Sequence, residues 1–422
     1  MVDEISSLLN PFKTKLQTLA DQQLIRVLRA AETGTAPHQR VHSGQHQGPH
    51  TSQDLLMFCS NDYLGLAAHP DIAAALVEGV DLYGAGSGSS HLISGHSVAH
   101  QALEAALAAW VQPQIPQAQA LYFCTGYMAN LAVISALADE HTAIFSEALN
   151  HASLIDGIRL ARAKGAQMHR YPHLDLATLA EQLAQSPAAV KLIVTDAVFS
   201  MDGELAPLAD LLALAEQHQA WLVVDDAHGF GVLGPNGQGT LAHFGCRSQR
   251  LILVGTLGKA ASVAGAFVAA HPTLIQFLIQ TARPYIFTTA APPAVAHALL
   301  TSLALMQDER GQARREQLRR LQTQWQTGMR ALLARRPDLG WTLIDSPTPI
   351  QPLVVGDNAT ALALAAGLEK RGIRVPAIRP PTVPAGTARL RVTLCGSHTE
   401  ADVAQLLAAL EAEANGQANS PT

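Results

Sequence analysis

Lys259 is the residue whose type and surroundings most clearly indicate a chemical role, because it is the only charged residue in the apolar stretch 251–270. Burying its ammonium group would cost several kcal/mol unless a partner compensates the charge. Desolvation lowers the proton affinity of a lysine amine, and the neutral amine forms Schiff bases with carbonyl compounds. Two interpretations follow: a structural lysine whose amine reaches solvent at a strand end, or a covalent attachment point for a cofactor or substrate.

An acid and an imidazole follow a second apolar segment, in the sequence Val-Val-Asp-Asp-Ala-His-Gly at residues 223–229. Asp225 would lie against a pyridine nitrogen and keep it protonated, so that the ring accepts electron density from a substrate carbanion. His228 would reach the phenolic oxygen of that ring or support Asp225. Together with a buried Lys259 they indicate pyridoxal phosphate (PLP). The structural alternatives are a helix-capping aspartate and a solvated loop histidine.

Other residues could complete such a cofactor site. Gly126 and Tyr127 lie at a predicted strand-to-helix junction, where free backbone N–H groups and the helix dipole attract a phosphate. Thr256 adds a hydroxyl group near the same anion. His151 could lay its ring over the pyridine face, and Ser200 could donate a hydrogen bond to the phenolic oxygen. A junction of this kind occurs several times in any α/β protein, so it indicates little by itself.

The elements that must position these residues are short apolar runs alternating with helical patterns between residues 56 and 291. The predicted strands are 121–124, 142–145, 191–195, 221–225, 251–255 and 266–269. Runs that are apolar on both faces and separated by helices predict a mainly parallel sheet covered on both sides. Because ligands of such sheets bind beyond the carboxyl ends of the strands, we expect the following loops to converge on one crevice.

The two ends of the chain differ from this central pattern. Apolar positions at helical spacing predict an N-terminal helix over about 6–31, followed by a polar loop, 33–53. That loop carries four histidines at intervals of four, but its prolines and glycines argue against a helix that would gather them around a metal. They are His38, His42, His46 and His50. We expect no metal site and three segments: 1–55, a large domain 56–293 and a smaller α+β domain 294–422.

The last segment has its own pattern of elements. One long helix is predicted after Pro293 to about residue 335, followed by a strand over 350–355, a helix over 359–371, a strand over 389–394 and a final helix from about residue 400.

Composition excludes several classes of function. The 422 residues are 48% hydrophobic and carry a net charge of −6 without a basic stripe, which disfavours nucleic acid and a lipid surface as partners. The four cysteines form no CxxC pair, so neither a disulfide framework nor a zinc site is expected. The acidic N-terminus is unlike a secretory signal, and a cytoplasmic location is expected. Small-molecule chemistry remains.

Two glycine-containing motifs near the candidate residues do not fit nucleotide binding. The sequence Gly-Ala-Gly-Ser-Gly at 84–88 is followed by Ser89, where a dinucleotide fingerprint needs its last glycine, and it follows a helical pattern rather than a strand. The sequence Gly-Thr-Leu-Gly-Lys at 255–259 lacks the first glycine of a phosphate-binding loop, and Ala260 replaces the required serine or threonine. Nucleotide binding therefore does not explain Lys259.

Five motifs give the chain a family resemblance. They are Ser-Asn-Asp-Tyr-Leu-Gly-Leu (60–66), Asn-His-Ala-Ser (150–153), Val-Phe-Ser-Met-Asp-Gly (198–203), Val-Asp-Asp-Ala-His-Gly (224–229) and Thr-Leu-Gly-Lys (256–259). Together they resemble the α-oxoamine synthases, PLP-dependent enzymes of fold type I, and the resemblance covers about residues 16–410. It implies an α/β fold with a mainly parallel seven-stranded sheet in a large domain and a smaller α+β C-terminal domain.

The resemblance also implies what the residues do. Lys259 holds PLP covalently and, once freed, removes the Cα proton of an amino acid, which is then joined to the acyl group of a thioester with loss of CO2. Arg391 grips the amino acid carboxylate. Arg26, Arg379 and Thr382 contact the rest of the substrate. Each of these arginines could instead be a surface charge.

Assembly and substrates follow from the same resemblance. Thr288 and Thr289 look like the segment that reaches the phosphate of a neighbouring subunit, which implies a homodimer with shared active sites. Segments 350–358 and 377–391 resemble family members that take L-alanine and a pimeloyl thioester, with coenzyme A or acyl carrier protein as the carrier. Two alternatives stay open: a sister acyltransferase for glycine and a shorter acyl donor, and a non-catalytic protein that keeps the fold.

Overall fold

A seven-stranded sheet carries the loops described above, and the computed structural model describes residues 2–43 and 51–418. Along the chain the strands are β1 (Ala30–Ala31), β2 (His38–Ser43), β3 (Thr51–Met57), β4 (Gln119–Phe123), β5 (Thr142–Glu147), β6 (Gln167–Tyr171), β7 (Val190–Asp196), β8 (Trp221–Asp225), β9 (Leu251–Thr256), β10 (Ala266–Ala270), β11 (Thr342–Leu343), β12 (Ile350–Gly356), β13 (Ile373–Arg374), β14 (Ala377–Ile378) and β15 (Ala388–Thr393). The helices are α1 (Val2–Asp21), α2 (Pro70–Tyr83), α3 (Val98–Val111), α4 (Gly126–Leu137), α5 (Ala152–Arg162), α6 (Leu176–Gln185), α7 (Leu208–Gln217), α8 (Thr240–His243), α9 (Pro272–Thr281), α10 (Arg283–Ile286), α11 (Pro293–Gln307), α12 (Glu309–Arg335), α13 (Asn358–Lys370) and α14 (Glu400–Ala418). A π-helical turn spans His91–Gly95, and a 3-10 turn spans Pro337–Leu339.

The strand order of the large sheet is β4-β10-β9-β8-β7-β5-β6. Strands β6, β5, β7, β8 and β9 run parallel, whereas β10 pairs antiparallel with both β4 and β9. The predicted mainly parallel seven-stranded sheet is confirmed. All six strands predicted from apolar runs are present, each within two residues of its expected bounds.

The pattern of apolar runs does not predict the seventh strand, β6. Its sequence is Gln-Met-His-Arg-Tyr, and of these residues only Tyr171 is buried. The strand lies at the sheet edge, where it pairs with β5 alone. An edge strand with polar side chains lacks the two-sided apolar pattern that identified the others.

Side chains of the central strands alternate between two apolar clusters, one on each face of the sheet. Leu222 and Val224 of β8 belong to the first cluster, whereas Val223 belongs to the second. Helices α3, α7 and α11 contribute to the first cluster, and α4, α5 and α9 contribute to the second. This two-sided cover fixes the positions of the central strands and therefore of the loops at their ends.

The carboxyl ends of four neighbouring parallel strands present the candidate residues at one edge of the sheet. His151 follows β5, Ser200 follows β7, His228 follows β8 and Lys259 follows β9. The strand order places β5, β7, β8 and β9 side by side. The predicted convergence of these loops on one edge is therefore confirmed.

Two helix predictions were wrong in extent. The N-terminal helix ends at Asp21 instead of continuing to about residue 31, and Gln23 has a positive φ of 58° that ends the helical path. The single long helix predicted after Pro293 is two helices, because Asp308 adopts an extended backbone between them. The Asp308 side chain accepts hydrogen bonds from the amides of Arg310 and Gly311, which caps α12.

The predicted polar loop contains strands. β2 and β3 form an antiparallel pair, and β3 also pairs in parallel with β13 from the last third of the chain. His38 and His42 are four residues apart on β2, a spacing of about 13 Å along a strand, so they cannot share one ion. His46 and His50 lie outside the described residues.

A four-stranded sheet with the order β11-β12-β15-β14 lies in the C-terminal part of the chain. It confirms the strands predicted over 350–355 and 389–394, and α13 and α14 match the predicted helices. The division into three segments, with boundaries near 55 and 293, stays a prediction. Among the described residues, every helix is too short or too polar to cross a membrane.

Candidate active site

Lys259 lies in the turn after β9, and its amine meets an imidazole. The distance from Lys259 Nζ to His228 Nε2 is 3.0 Å. Burial lowers the pKa of Lys259, while Asp225 and Asp196 act in the opposite direction and Arg391 adds to the lowering. The structure therefore places this lysine where the neutral, nucleophilic amine forms more easily than it does in a solvent-exposed lysine.

His228 connects Lys259 to a tyrosine. The residue is buried, and its Nδ1 lies 2.5 Å from the hydroxyl of Tyr63. Burial first, and then the charges of Lys259 and Arg391, lower the pKa of His228 well below its usual value. A neutral imidazole has one N–H and one lone pair, so it can accept a proton on one side while it donates on the other.

Asp225 is fixed by hydrogen bonds at the end of β8. Its Oδ1 accepts from the amide of Ala227 at 3.0 Å, and its Oδ2 accepts from Asn130 Nδ2 at 2.6 Å. The same amide nitrogen donates to Ser153 Oγ at 2.8 Å, and Ser153 Oγ lies 2.7 Å from His151 Nδ1. A buried polar chain thus joins Asp225 to His151 through Asn130 and Ser153.

His151 caps α5 and stays partly accessible. Its Nδ1 accepts from the amide of Ser153 at 3.2 Å, and its own amide donates to Asp196 Oδ2 at 2.6 Å. Burial lowers the pKa of His151, with Asp225 raising it and Lys259 lowering it further. The capping contact holds Nδ1 as an acceptor, so the ring is a neutral imidazole with its N–H on Nε2.

The N-terminus of α4 offers an anion site next to β9. Thr125 caps the helix by accepting from the amide of Met128, which leaves the amides of Gly126 and Tyr127 without an intrahelical acceptor. A Cβ atom placed on Gly126 would be in van der Waals contact with Thr256 Oγ1, at 3.9 Å, so the helix terminus lies directly beside that hydroxyl. Tyr127 is 44% exposed, and its hydroxyl donates to Asp156.

Arg391 on β15 is a buried cation without an acidic partner. Its Nε donates to the Ser200 carbonyl at 2.6 Å, and its Nη1 contacts Thr393 Oγ1 at 2.9 Å and Asn61 Oδ1 at 3.4 Å. Within the described ranges, no carboxylate lies at ion-pair distance from it, whereas Arg389 on the same strand pairs with Asp202. An uncompensated buried guanidinium is an expected partner for a substrate carboxylate.

The other residues predicted to bind substrate, Arg26, Arg379 and Thr382, make few contacts with the described residues. Arg379 donates through Nη1 to the Gln23 carbonyl, its Nε has no partner among the described residues, and its carbonyl accepts from the amide of Thr382. Arg26 is exposed after α1 and makes no hydrogen bond or ion pair with a described residue. No contact of the described residues brings Arg26 to Lys259, so its role stays a prediction.

Thr288 and Thr289 follow α10 near the end of β4. Thr289 forms an isolated bridge with Ser90, and its carbonyl accepts from Cys124 Sγ at 3.5 Å. Cys124 comes two residues before α4 begins, so these threonines lie near the same helix terminus as Gly126. The role predicted for this segment, to reach the phosphate bound by a neighbouring subunit, stays a prediction.

Three residues of the site had no assigned role in the sequence: Tyr63, Asn130 and Ser153. Tyr63 and Ser153 lie inside two of the five motifs, and Asn130 lies four residues after Gly126, one turn along α4. A polar side chain one turn after a glycine-bearing helix start faces the same side as that start, which is the signal that could have identified Asn130. It is 1% exposed.

The arrangement fits PLP. Lys259 supplies a desolvated amine, Asp225 a fixed carboxylate, and α4 a helix terminus beside the Thr256 hydroxyl. Asn130 Oδ1 is buried without a partner among the described residues. A carbonyl-bearing, phosphorylated pyridine matches these three groups in charge and in donor type.

We expect Asn130→Leu, a substitution of similar volume, to weaken PLP binding about 10- to 100-fold, because a buried hydrogen bond to Asp225 is lost. Absorbance titration of the stripped protein with PLP measures this effect. Ser135→Ala, which removes a hydroxyl from the other end of α4, is the matched control and should bind PLP like the wild type. Unchanged PLP affinity in a folded Asn130→Leu variant would contradict the positioning role.

Comparison with known proteins agrees with this geometry. Residues 53–410 match the family model for aminotransferase class I and II. An 8-amino-7-oxononanoate synthase of Polaromonas naphthalenivorans (strain CJ2) is 63% identical over 389 residues, 92% of this chain and 93% of that protein. A crystal structure of 8-amino-7-oxononanoate synthase from Francisella tularensis has a TM-score of 0.71 at 31% identity, over 86% of this chain and 99% of that one.

A second solved structure bears on the cofactor. A variant of serine palmitoyltransferase from S. paucimobilis, with PLP and myriocin bound, has a TM-score of 0.83 and 28% identity. The match covers 97% of this chain and 98% of that one. The similarity therefore extends over both the large sheet and the C-terminal sheet that holds Arg391.

Proposed function

The chain belongs to the 8-amino-7-oxononanoate synthase family within aminotransferase class I and II, and from this premise we propose that it condenses L-alanine with a pimeloyl thioester. The family makes it a PLP-dependent acyltransferase of biotin biosynthesis. In the proposed reaction a carbon–carbon bond forms between alanine Cα and the thioester carbonyl. The thiol carrier leaves, the alanine carboxylate is lost as CO2, and the product is 8-amino-7-oxononanoate.

The observation that carries the proposal is a buried nucleophile, a buried acid and an unpaired buried arginine around one sheet edge. Lys259, Asp225 and Arg391 are the groups that attach, activate and orient an amino acid, respectively. Arg391 favours a substrate with a free carboxylate, because such a substrate supplies the counter-ion that the described residues lack.

In the proposed site, Lys259 would hold PLP covalently and Asp225 would bind its ring nitrogen. When bound, PLP withdraws electron density from the Cα atom of an attached amino acid. The amides of Gly126 and Tyr127 would bind the phosphate together with the Thr256 hydroxyl. His151 would contact the ring, and Asn130 keeps the Asp225 carboxylate in place through its 2.6 Å hydrogen bond.

The phenolic side of the cofactor would be held by Ser200 and His228. Thr288 and Thr289 would reach the phosphate of a neighbouring subunit, which makes a homodimer part of the proposal. The Thr289 segment is held in this chain by the Ser90 bridge. An isologous dimer of this kind presents the segment twice, once to each active site.

Lys259 then moves a proton. Its amine, favoured in the neutral form by burial, takes the proton from alanine Cα. The Nζ atom lies 3.0 Å from His228 Nε2, so the imidazole can share the positive charge that develops. Tyr63 contacts the other ring nitrogen at 2.5 Å, which fixes the imidazole orientation and provides a second hydrogen-bond partner.

Arg391 orients the amino acid through its carboxylate. The planar guanidinium is held by the Ser200 carbonyl on one side and by Thr393 on the other, so it cannot rotate freely. Arg379 and Thr382, with Arg26, are proposed to contact the acyl donor. The unpartnered Arg379 Nε is the feature that supports a contact there. Coenzyme A and acyl carrier protein are both possible carriers.

A substrate panel tests the proposal. The PLP-loaded protein is supplied with L-alanine or glycine, each with pimeloyl-CoA, acetyl-CoA or succinyl-CoA, and thiol release and CO2 are measured. We expect the highest kcat/KM for L-alanine with pimeloyl-CoA. The highest rate for glycine with a short-chain donor would instead assign a sister acyltransferase, and no thiol release with any pair, including pimeloyl acyl carrier protein, would exclude acyl transfer.

We expect Arg391→Lys to raise the KM for L-alanine at least about tenfold, because lysine keeps the charge but loses the bidentate geometry. The KM for the acyl thioester should change little. Steady-state kinetics with each substrate varied in turn make the measurement. Arg389→Lys is the control on the same strand, since Arg389 pairs with Asp202 and should not affect the alanine KM. Equal increases in the alanine KM for both substitutions would contradict a role of Arg391 in binding the carboxylate.

A further inference from the structure

Three imidazole rings form a compact triangle outside the Lys259 site. The ring centroids of His91 and His96 are 5.2 Å apart, those of His91 and His100 are 5.1 Å apart, and those of His96 and His100 are 5.5 Å apart. One ligand nitrogen from each ring lies within 4.8 Å of the other two. The π-helical turn His91–Gly95 and the first turn of α3 bring the three residues together.

The hydrogen bonds of the rings show which lone pairs an ion would use. His100 Nε2 donates to the Ala291 carbonyl at 2.8 Å, which places its lone pair on Nδ1, where it accepts from the Ser97 amide at 3.0 Å. His96 Nε2 faces Glu104 Oε2 at 3.8 Å, while its Nδ1 lies 3.0 Å from His91 Nδ1. Metal-binding histidines characteristically direct their second nitrogen toward a carbonyl or carboxylate in this way.

The contact between His91 and His96 requires at least one of the two rings to be neutral. Their Nδ1 atoms lie 3.0 Å apart, so one nitrogen must accept the hydrogen that the other donates. Neutral imidazole is the form that binds a metal ion. Without an ion, the two facing Nδ1 atoms of His91 and His96 must share one proton.

We propose that His91, His96 and His100 bind one divalent transition-metal ion of the kind imidazole favours, such as Zn2+. The ion takes the place of the proton between His91 and His96. At His100 it replaces the hydrogen bond that Nδ1 accepts from the amide of Ser97, the half-buried N-cap residue of α3. Zinc–nitrogen distances near 2.0–2.1 Å separate the ligand atoms by about 3.3 Å, within the spread already present.

The triangle is accessible to solvent at His96 and contacts the segment 289–291 on its other side. The His96 side chain keeps 33% of its accessible surface, so water can reach the fourth coordination position. His100 holds Ala291, two residues after Thr289, and Ser90 next to His91 forms the bridge with Thr289. A bound ion therefore braces the segment that carries Thr288 and Thr289. None of its three ligands contacts Lys259, Asp225 or His228 among the described residues.

Calorimetric titration with zinc tests the site. The full-length, PLP-loaded protein is treated with a chelator, desalted and titrated with ZnCl2. We expect one zinc ion to bind tightly per chain. The His96→Gln variant, which is changed at an exposed position, should bind zinc at least about tenfold more weakly. His46→Gln/His50→Gln is the matched control for the histidine-rich N-terminal segment and should bind zinc like the wild type.

A second variant separates loss of a ligand from loss of structure. His91→Phe keeps the stacking on Tyr285, whose ring centroid lies 4.7 Å away, and removes the nitrogen. We expect its thermal unfolding without zinc to match the wild type and its zinc-induced rise in Tm to be absent. No strong equivalent in the wild type, or zinc binding that survives both His96→Gln and His91→Phe, would overturn the proposal.

Discussion

Replacing Lys259 with alanine is expected to lower kcat at least about 10⁴-fold while leaving the fold intact. The substitution removes both proposed roles of the amine, the covalent attachment of PLP and the removal of the Cα proton. It also removes a desolvated amine whose only close side-chain partner among the described residues is His228, so no ion pair is broken. Thermal unfolding should therefore occur at or above the wild-type temperature.

Product formation by mass spectrometry and circular dichroism measure these two outcomes for Lys259→Ala. Lys164→Ala is the matched control, because Lys164 is an exposed lysine whose amine donates, among the residues that the structure describes, to the Ser135 carbonyl alone. It should turn over like the wild type. Substantial product from a folded Lys259→Ala variant would show that another group carries the cofactor.

The second large effect is expected from Asp225→Asn. Asparagine preserves the shape but keeps only one of the two acceptor oxygens that bind Ala227 and Asn130, and it cannot stabilise a protonated pyridine nitrogen. We expect the rate of exchange of the alanine Cα proton with D2O, followed by NMR, to fall about 10²- to 10⁴-fold. The Asn130→Leu variant loses one of these hydrogen bonds but keeps the Asp225 charge, so a much smaller loss of exchange in that variant assigns the effect to charge.

Asp226→Asn gives the matched control for that charge. Asp226 is the adjacent buried acid, its carboxylate binds the Thr240 amide and hydroxyl, and burial raises its pKa to about 7. We expect this variant to unfold at a lower temperature, since its buried hydrogen bonds to Thr240 are disturbed, but to exchange the Cα proton normally per folded molecule. Equal losses of exchange in both variants would mean that Asp225 acts only through the structure.

Much of the fold could be predicted from the sequence because the central strands are apolar on both faces. This pattern predicts β8 and β9, and because the two strands are neighbours, their carboxyl ends bring Asp225 and Lys259 together. The pattern failed at β6, an edge strand with polar side chains, and at α1, which is exposed over most of its length. In both cases the chain lacks the two-sided burial that makes periodicity informative.

The site was predictable as a set of reactive groups, but its supporting contacts were not. Spacing along the chain cannot show that Asn130 donates to Asp225, 95 residues away, or that the Tyr63 hydroxyl meets His228. The histidine triangle was missed for a similar reason. His91 and His96 are five residues apart, which is not a helical spacing, and the π-helical turn His91–Gly95 brings them together next to His100 on the first turn of α3.

The central claim, that Lys259 carries the cofactor, is tested most directly by peptide mapping after borohydride reduction. The PLP-loaded wild-type protein is reduced, digested and analysed by mass spectrometry. We expect the reduced pyridoxyl phosphate on the peptide that contains Lys259, and no labelled peptide in the Lys259→Ala variant. Labelling confined to another lysine, or the absence of any labelled peptide from the reduced wild-type protein, would contradict the claim.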